Sequence, residues 1–460
     1  MFISFLLFRE ERDYMPENTT VPNENHELIT EELVRNGLQK DKGKNAELLS
    51  WNIKDFTNKG DGYTSFRNKC NALQHVKYKK GNEESQSEAS YVVKLNPKRP
   101  PGPMTKMMES HVSTRRSVHK NLIESSSIKL LILTDIIGAM NEHLDRLNLE
   151  PLRTPKVFAS STEKGKESFV AENLRIQGFQ MHDKRQAQDV HHALLVMEEL
   201  GRFHASSLLL KESIEPKTFV EKYEHFEEPW FNADNDLFKV FLKMIESQTE
   251  ESINILSTIP KYERCTKWLK AHKETFGLNF IDGFKPRKPF EVLVHGDCHT
   301  NNMLFKYNSM NEPVDMRFVD LQCTRLGSPA SDIDYFAYSS LGGETRSKYF
   351  PKLLYTYYQS FSKVLLFARK KVPFTFKELE DEVEERKILG FVIGIMSLQF
   401  LLSEEDDVVD FGELREENME EFNKKNKKNF KKLLEISGPF KDRFLSLFDD
   451  MLESHILYEN

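Results

Sequence analysis

The octapeptide His295-Gly296-Asp297-Cys298-His299-Thr300-Asn301-Asn302 puts a carboxylate and, five residues later, a carboxamide into one polar loop. A carboxylate so placed can orient a hydroxyl and accept its proton, and a carboxamide oxygen is a hard donor suited to magnesium. Asn302 opens an apolar run over 303–307, a turn-like segment covers 308–313, and 314–319 runs back to Asp320, which reads as a hairpin. Antiparallel pairing sets the start of the first strand beside the end of the second, so the side-chain oxygens of Asn302 and Asp320 are expected at one end of the ribbon, near Asp297.

Phosphoryl transfer asks for those groups and for a cation on the phosphates. Lys94, on the Val-rich segment Tyr91-Val92-Val93-Lys94-Leu95, is the candidate for the cation; the plain alternative is a solvent-facing strand lysine. Gly60 and Gly62 would let backbone N–H groups approach phosphates, although an ordinary hairpin turn explains a Gly-x-Gly almost as well. Two other residues support the loop: His295 through a hydrogen bond to backbone, and Asp332 as a helix cap that also ties the loop down. His204 is read as a hydrogen-bonded core histidine, and His299 receives no catalytic role.

The elements that position these groups follow from apolar spacing. Leu28, Ile29, Leu33, Val34 and Leu38 mark a short amphipathic helix ending near Gly37, after a flexible segment over 1–26. Strands are expected within 51–80, at 91–95 and at 168–171, with a Pro- and Lys-rich connector over 96–106 and a helix over 128–147. Further helices are expected within 189–208, 216–257, 345–371 and 376–402, and the charged 403–432 stretch is read as a solvated helix face. The class is therefore α+β: a small antiparallel-sheet lobe over 27–171, then a mostly helical lobe over 172–460.

The chain has 460 residues, 39% of them hydrophobic, enough for two buried cores. A net charge of -7 argues against nucleic acid as a partner. Four cysteines without a CxxC pair suggest a reducing, cytoplasmic setting. Met1 to Phe8 is apolar but lacks the flanks of a signal peptide, and no run reaches the roughly 20 apolar residues that cross a bilayer, so membrane insertion is not expected. Oligomeric state is not legible.

The segments Val294-His295-Gly296-Asp297 through Asn301-Asn302-Met303-Leu304-Phe305, Phe318-Val319-Asp320-Leu321-Gln322 and 327–336 together resemble the ecdysteroid kinase-like (CHK kinase-like) family, relatives of choline kinase and the aminoglycoside phosphotransferases. The resemblance is dense over about 290–340 and followable from about 58. It implies a bilobal protein-kinase-like fold, ATP and Mg2+, and a small-molecule alcohol acceptor. It also implies a phosphate-loop segment at Tyr63-Thr64-Ser65, an ATP lysine at Lys94, and a hinge around Glu172 and Leu174 whose backbone receives adenine. The family usually has a Glu pairing with that lysine; here Asp135 is the best-placed residue, with Glu142 two turns on as the alternative. His299 stands where the family commonly has tryptophan. The expectation is a kinase for an ecdysteroid or similar lipophilic alcohol. Alternatives are a choline-like or xenobiotic acceptor, or a pseudokinase acting as sensor or scaffold. A protein kinase is disfavoured because Asp320-Leu321-Gln322 does not resemble Asp-Phe-Gly.

Overall fold

The computed structural model describes residues 24–55, 71–81, 85–95, 132–161, 168–223, 226, 236–402, 419–435 and 438–457. Gly60, Gly62, Tyr63, Thr64 and Ser65, and the 96–106 connector, lie outside them.

The first sheet is five-stranded and antiparallel, in the order β1 (Ala46–Asp55), β2 (Asn71–Lys80), β3 (Ser87–Leu95), β5 (Ser168–Glu172), β4 (Val157–Ser161). Helix α1 (Glu31–Lys42) covers one face, because Leu33, Val34 and Leu38 meet Tyr91, Val93 and Leu95 in one apolar cluster. The helix runs through the buried Gly37 and stops at Gly43, whose N–H closes on the Gln39 carbonyl, so the expected end at Gly37 is corrected by more than a turn.

Alternation along β3 then decides where Lys94 points. Tyr91, Val93 and Leu95 face α1, so Val92 and Lys94 face the other way. Lys94 lies opposite Phe169, and Val92 opposite Ala171, so these four share the inner face. Leu133 packs there against Phe169 and Ala171. It belongs to the π-helical turn Ile132–Ile136 that leads into α2 (Ile137–Arg146).

Beyond Glu172 the chain turns through Leu174–Gln177 and enters a second sheet, β6 (Phe179–Met181), β8 (Met303–Tyr307) and β9 (Pro313–Phe318), in the order β6-β8-β9. Asn173 makes that crossing, donating to Ser90 Oγ at 2.9 Å and capping the Arg175 N–H. A short antiparallel pair, β7 (Val292–Val294) with β10 (Arg325–Gly327), flanks the loop after β7.

The remainder is helical: α3 (Val190–Ile214), α4 (Asp236–Leu256), α5 (Glu263–His272), α6 (Phe276–Phe284), α7 (Pro329–Ser340), α8 (Gly343–Phe367), α9 (Phe376–Glu385), α10 (Lys387–Leu402), α11 (Met419–Glu435) and α12 (Pro439–Glu453). The apolar pattern over 376–402 thus divides into two helices at Arg386. In the charged stretch, Lys427 of α11 pairs at 3.1 Å with the buried Glu251, so that helix is docked on the core as well as solvated. Helices α3 and α8 pack closely because residue 201 is glycine; a Cβ there would lie 2.5 Å from the Tyr357 carbonyl oxygen. An antiparallel five-stranded sheet followed by a mostly helical region is the α+β order expected from the sequence. Among the described residues, no helix is long and apolar enough to cross a membrane.

Candidate active site

The loop after β7 is held in place from below. Asp332, in the first turn of α7, accepts from the His295 N–H at 2.6 Å and the Gly296 N–H at 2.9 Å. Its cap role is a correction: Ser328 is the N-cap, accepting from the Ala330 N–H, because the helix starts at Pro329 and leaves Asp332 inside it. Asp332 also meets His204 Nε2 at 3.2 Å, and His204 Nδ1 meets the Tyr357 hydroxyl at 2.9 Å. The close approach at Gly201 is what brings Tyr357 within reach. Burial works against the charged form of Asp332, but the His204 hydrogen bond and charge, then His295, outweigh it and hold its pKa below the usual value.

Gly296 adopts φ +78, and a Cβ on it would lie 2.2 Å from the Cys323 carbonyl oxygen, so the middle residue of His-Gly-Asp must be glycine. His295 Nε2 meets the Val319 carbonyl at 3.2 Å, and its Nδ1 accepts from the Asp297 N–H at 3.3 Å, the bracing expected of it. At the rear, Thr300 donates its N–H to Ser340 Oγ at 2.9 Å and its hydroxyl accepts from Gln188 at 3.2 Å.

Asp297 is buried in the middle of this scaffold, at 2% exposure. The Tyr335 hydroxyl donates to its Oδ1 at 2.9 Å. Asn302 Nδ2 donates to its carbonyl oxygen at 2.9 Å and to Oδ2 at 3.0 Å, so the loop closes on itself. His299 Nε2 stands 3.4 Å from Oδ1. Burial alone would raise the Asp297 pKa; the attraction of the adjacent His299 ring, whose Nε2 lies 3.4 Å from Oδ1, reverses that and holds the carboxyl well below its ordinary range. The group is a carboxylate at neutral pH, the state needed to accept a hydroxyl proton.

The hairpin forms as expected, with Met303 opposite Phe318, and the Val319 N–H donates to the Asn302 carbonyl at 2.9 Å. Asp320 follows immediately, turned by a left-handed backbone (φ 64, ψ 52) that ends the strand. Asn302 and Asp320 therefore stand at one end of the ribbon, beside Asp297. With Nδ2 of Asn302 committed to Asp297, the opposite branch of its amide is the oxygen a metal would meet. A carboxamide and a carboxylate are hard oxygen donors that fit Mg2+, which commonly takes one or two protein ligands and completes its shell with water and phosphate. Among the described residues there is no group of three or more His, Cys, Asp or Glu able to hold a metal, and a two-ligand magnesium site needs none.

The turn carrying Asp135 packs against 321–323, next to Asp320, and through Leu133 against the inner face that bears Lys94. Asp135 accepts from Thr134 Oγ1 at 2.7 Å, whereas Glu142 is engaged at the surface by Arg146 at 3.4 Å. Glu172 ends β5 with its side chain held by the Gln177 amide at 2.7 Å, and Leu174 is buried at the start of the crossing.

Tyr335 was not singled out from sequence. Its position three residues after Asp332 carried the signal, since that spacing puts both on one helix face toward the loop.

A model of the ecdysteroid kinase-like family matches residues 59–369, more than half of the chain. The chain belongs to this family. No curated protein matches it. Among solved structures, this ecdysteroid kinase-like protein is similar to a choline kinase of Cryptosporidium parvum (14% identity, 91% of this chain and 100% of that one, TM-score 0.36). It is also similar to an ethanolamine kinase of Plasmodium vivax (13%, 84% and 82%, 0.34) and to a choline kinase of Streptococcus pneumoniae (16%, 86% and 98%, 0.31).

Proposed function

We propose that this ecdysteroid kinase-like protein is an ATP- and magnesium-dependent phosphotransferase acting on a hydroxyl of an ecdysteroid or similar lipophilic alcohol. The observation that carries the reading is Asp297: a buried carboxylate held ionised, gripped by Asn302 and set beside the strand end that delivers Asp320. An ordinary loop aspartate has no need of three neighbouring donors.

In this reading Asp297 orients the acceptor hydroxyl and takes its proton as the oxygen bonds to the γ-phosphorus and the bond to the ADP oxygen breaks. Asn302 and Asp320 hold magnesium, which when bound neutralises charge on the β- and γ-phosphates. Lys94, on the inner face of the first sheet, contacts the α- and β-phosphates, with Asp135 as its carboxylate partner. The backbone at Glu172 and Leu174 receives adenine; Gly60, Gly62, Tyr63, Thr64 and Ser65, the phosphate-contact candidates of the sequence, lie outside the described residues. His295 and Asp332 keep the loop in register. The lobes are 27–171 and 172–460, meeting at the crossing.

The test is ADP release from ATP and Mg2+ by the full chain against ecdysteroids, sterols, choline-like amines and plant glycosides, with Asp297→Ala as the blank. Turnover on an ecdysteroid that vanishes in the variant is expected. Turnover on choline alone would move the acceptor class. Silence across the panel, in protein that binds Mg·ATP, would overturn the enzymatic reading in favour of a sensor or scaffold.

A further inference from the structure

The loop residue that this chemistry leaves unused is His299. Its ring is buried, at 3% exposure, and tilted against Tyr335 with centroids 6.0 Å apart. Nδ1 accepts a hydrogen bond from the Asn301 N–H at 3.2 Å, which puts the ring proton on Nε2. Nε2 lies 3.4 Å from Asp297 Oδ1 and 3.4 Å from Asn302 Nδ2. The Asn302 nitrogen is itself a donor, directed at the Asp297 carbonyl and Oδ2. Of these two, only the carboxylate oxygen can accept from Nε2–H. A separation of 3.4 Å is long for a hydrogen bond, and such contacts in substrate-free sites commonly shorten when the complex forms.

We propose that His299 is a positioning residue for Asp297: in its Nε2–H tautomer it donates, alongside Tyr335, to Oδ1, leaving Oδ2 as the edge that meets the acceptor hydroxyl. The inference rests on the phosphotransferase reading of the site. The terminal torsion of an aspartate is broad, so one donor anchors an oxygen without fixing the plane of the carboxylate. Donors on both oxygens, with two of them converging on Oδ1 from separate elements, leave that plane little freedom. The Asn301 N–H fixes the imidazole in turn, as an outer partner fixes the tautomer of a metal-bound histidine. Proton acceptance from a bound alcohol depends on such alignment, because small displacements of a reacting group cost large factors in rate.

Two variants separate this role from packing. His299→Gln keeps an N–H near the place of Nε2 but loses the ring; His299→Phe keeps a ring against Tyr335 but has no N–H. The readout is Asp297-dependent phosphoryl transfer from ATP to ecdysone, to choline and to water. His299→Phe is expected to lower kcat by about 10-fold or more with KM for ATP within about 2-fold, and His299→Gln to recover most of that loss. The reverse order, or unchanged kcat in the Phe variant, overturns the positioning role alone. Nitrogen-15 spectra of histidine-labelled protein, with His299→Gln supplying the assignment, are expected to show the Nε2–H tautomer; an Nδ1–H ring overturns the proposal whatever the kinetics. If the wild type transfers to none of the three acceptors, the kinase reading itself has failed and the positioning role falls with it.

Discussion

The Tyr335 hydroxyl donates to Asp297 Oδ1 at 2.9 Å across 38 residues of chain, and both groups are buried. It ties the loop after β7 to the helix that supports it, and it acts on the atom pair that the proposed reaction uses. Burial and the adjoining carboxylate push the Tyr335 pKa well above its ordinary value, so the hydroxyl keeps its proton and remains a donor throughout the working pH range.

Tyr335→Phe removes that donor and little volume. A hydrogen bond to a charged group contributes roughly 1.5–3 kcal/mol, so kcat is expected to fall by about 10- to 100-fold. Affinity for Mg·ATP should be unchanged, as Tyr335 holds the carboxylate that takes the acceptor's proton in the proposed reaction. Steady-state kinetics with a nucleotide-binding titration check both halves; an unaltered kcat would show that Asp297 does not depend on this bond.

His204→Phe keeps a ring in the core and strips Asp332 of its buried partner. The expected loss is about 3 kcal/mol of stability, read from urea unfolding. It should depend on pH in a stated direction. The folded pKa of Asp332 is depressed, so its contribution is present above the unfolded value of about 3.9 and is lost as pH falls through the folded value. Because His204 supports that depression, the gap between wild type and variant should be wide at pH 7 and narrow in acid.

Asp334 behaves in the opposite sense. It is fully buried, and neither carboxylate oxygen accepts a hydrogen bond among the described residues. Burial raises its pKa well above the ordinary value, only partly offset by Lys387. The folded protein keeps this proton at pH values where the unfolded chain has lost it, so stability attributable to Asp334 falls as pH rises above about 4. Relative to Asp334→Asn, the wild type should lose stability steadily between pH 4 and pH 8. Parallel unfolding curves for the two proteins across that range would refute it.

Much of this protein is legible in its sequence. The hairpin was readable because apolar alternation and a turn leave few registers that bury one face. The loop motif and the family were readable because His295-Gly296-Asp297 and Asn302 are close in sequence, where spacing alone constrains geometry. Helix ends are less legible: Gly37 has the residue type of a stop and is an interior contact, and Asp332 has that of a cap although Ser328 holds that place. In each case the residue type was right for the local role, and its neighbours in space assigned another.

What the sequence determined by itself was therefore local: several of the strands and helices, which loop carries a carboxylate and a metal-competent amide, and the family. Tertiary structure decided the rest. Lys94 faces inward because the β3–β5 register aligns it with Phe169 and not with the α1 face. Tyr335 and His204 acquire their partners only when α3, α7 and α8 converge beneath the loop, at a closeness that Gly201 permits. Hydrogen bonds between residues far apart in sequence leave no periodic trace in the chain, since their spacing is set by how whole elements pack.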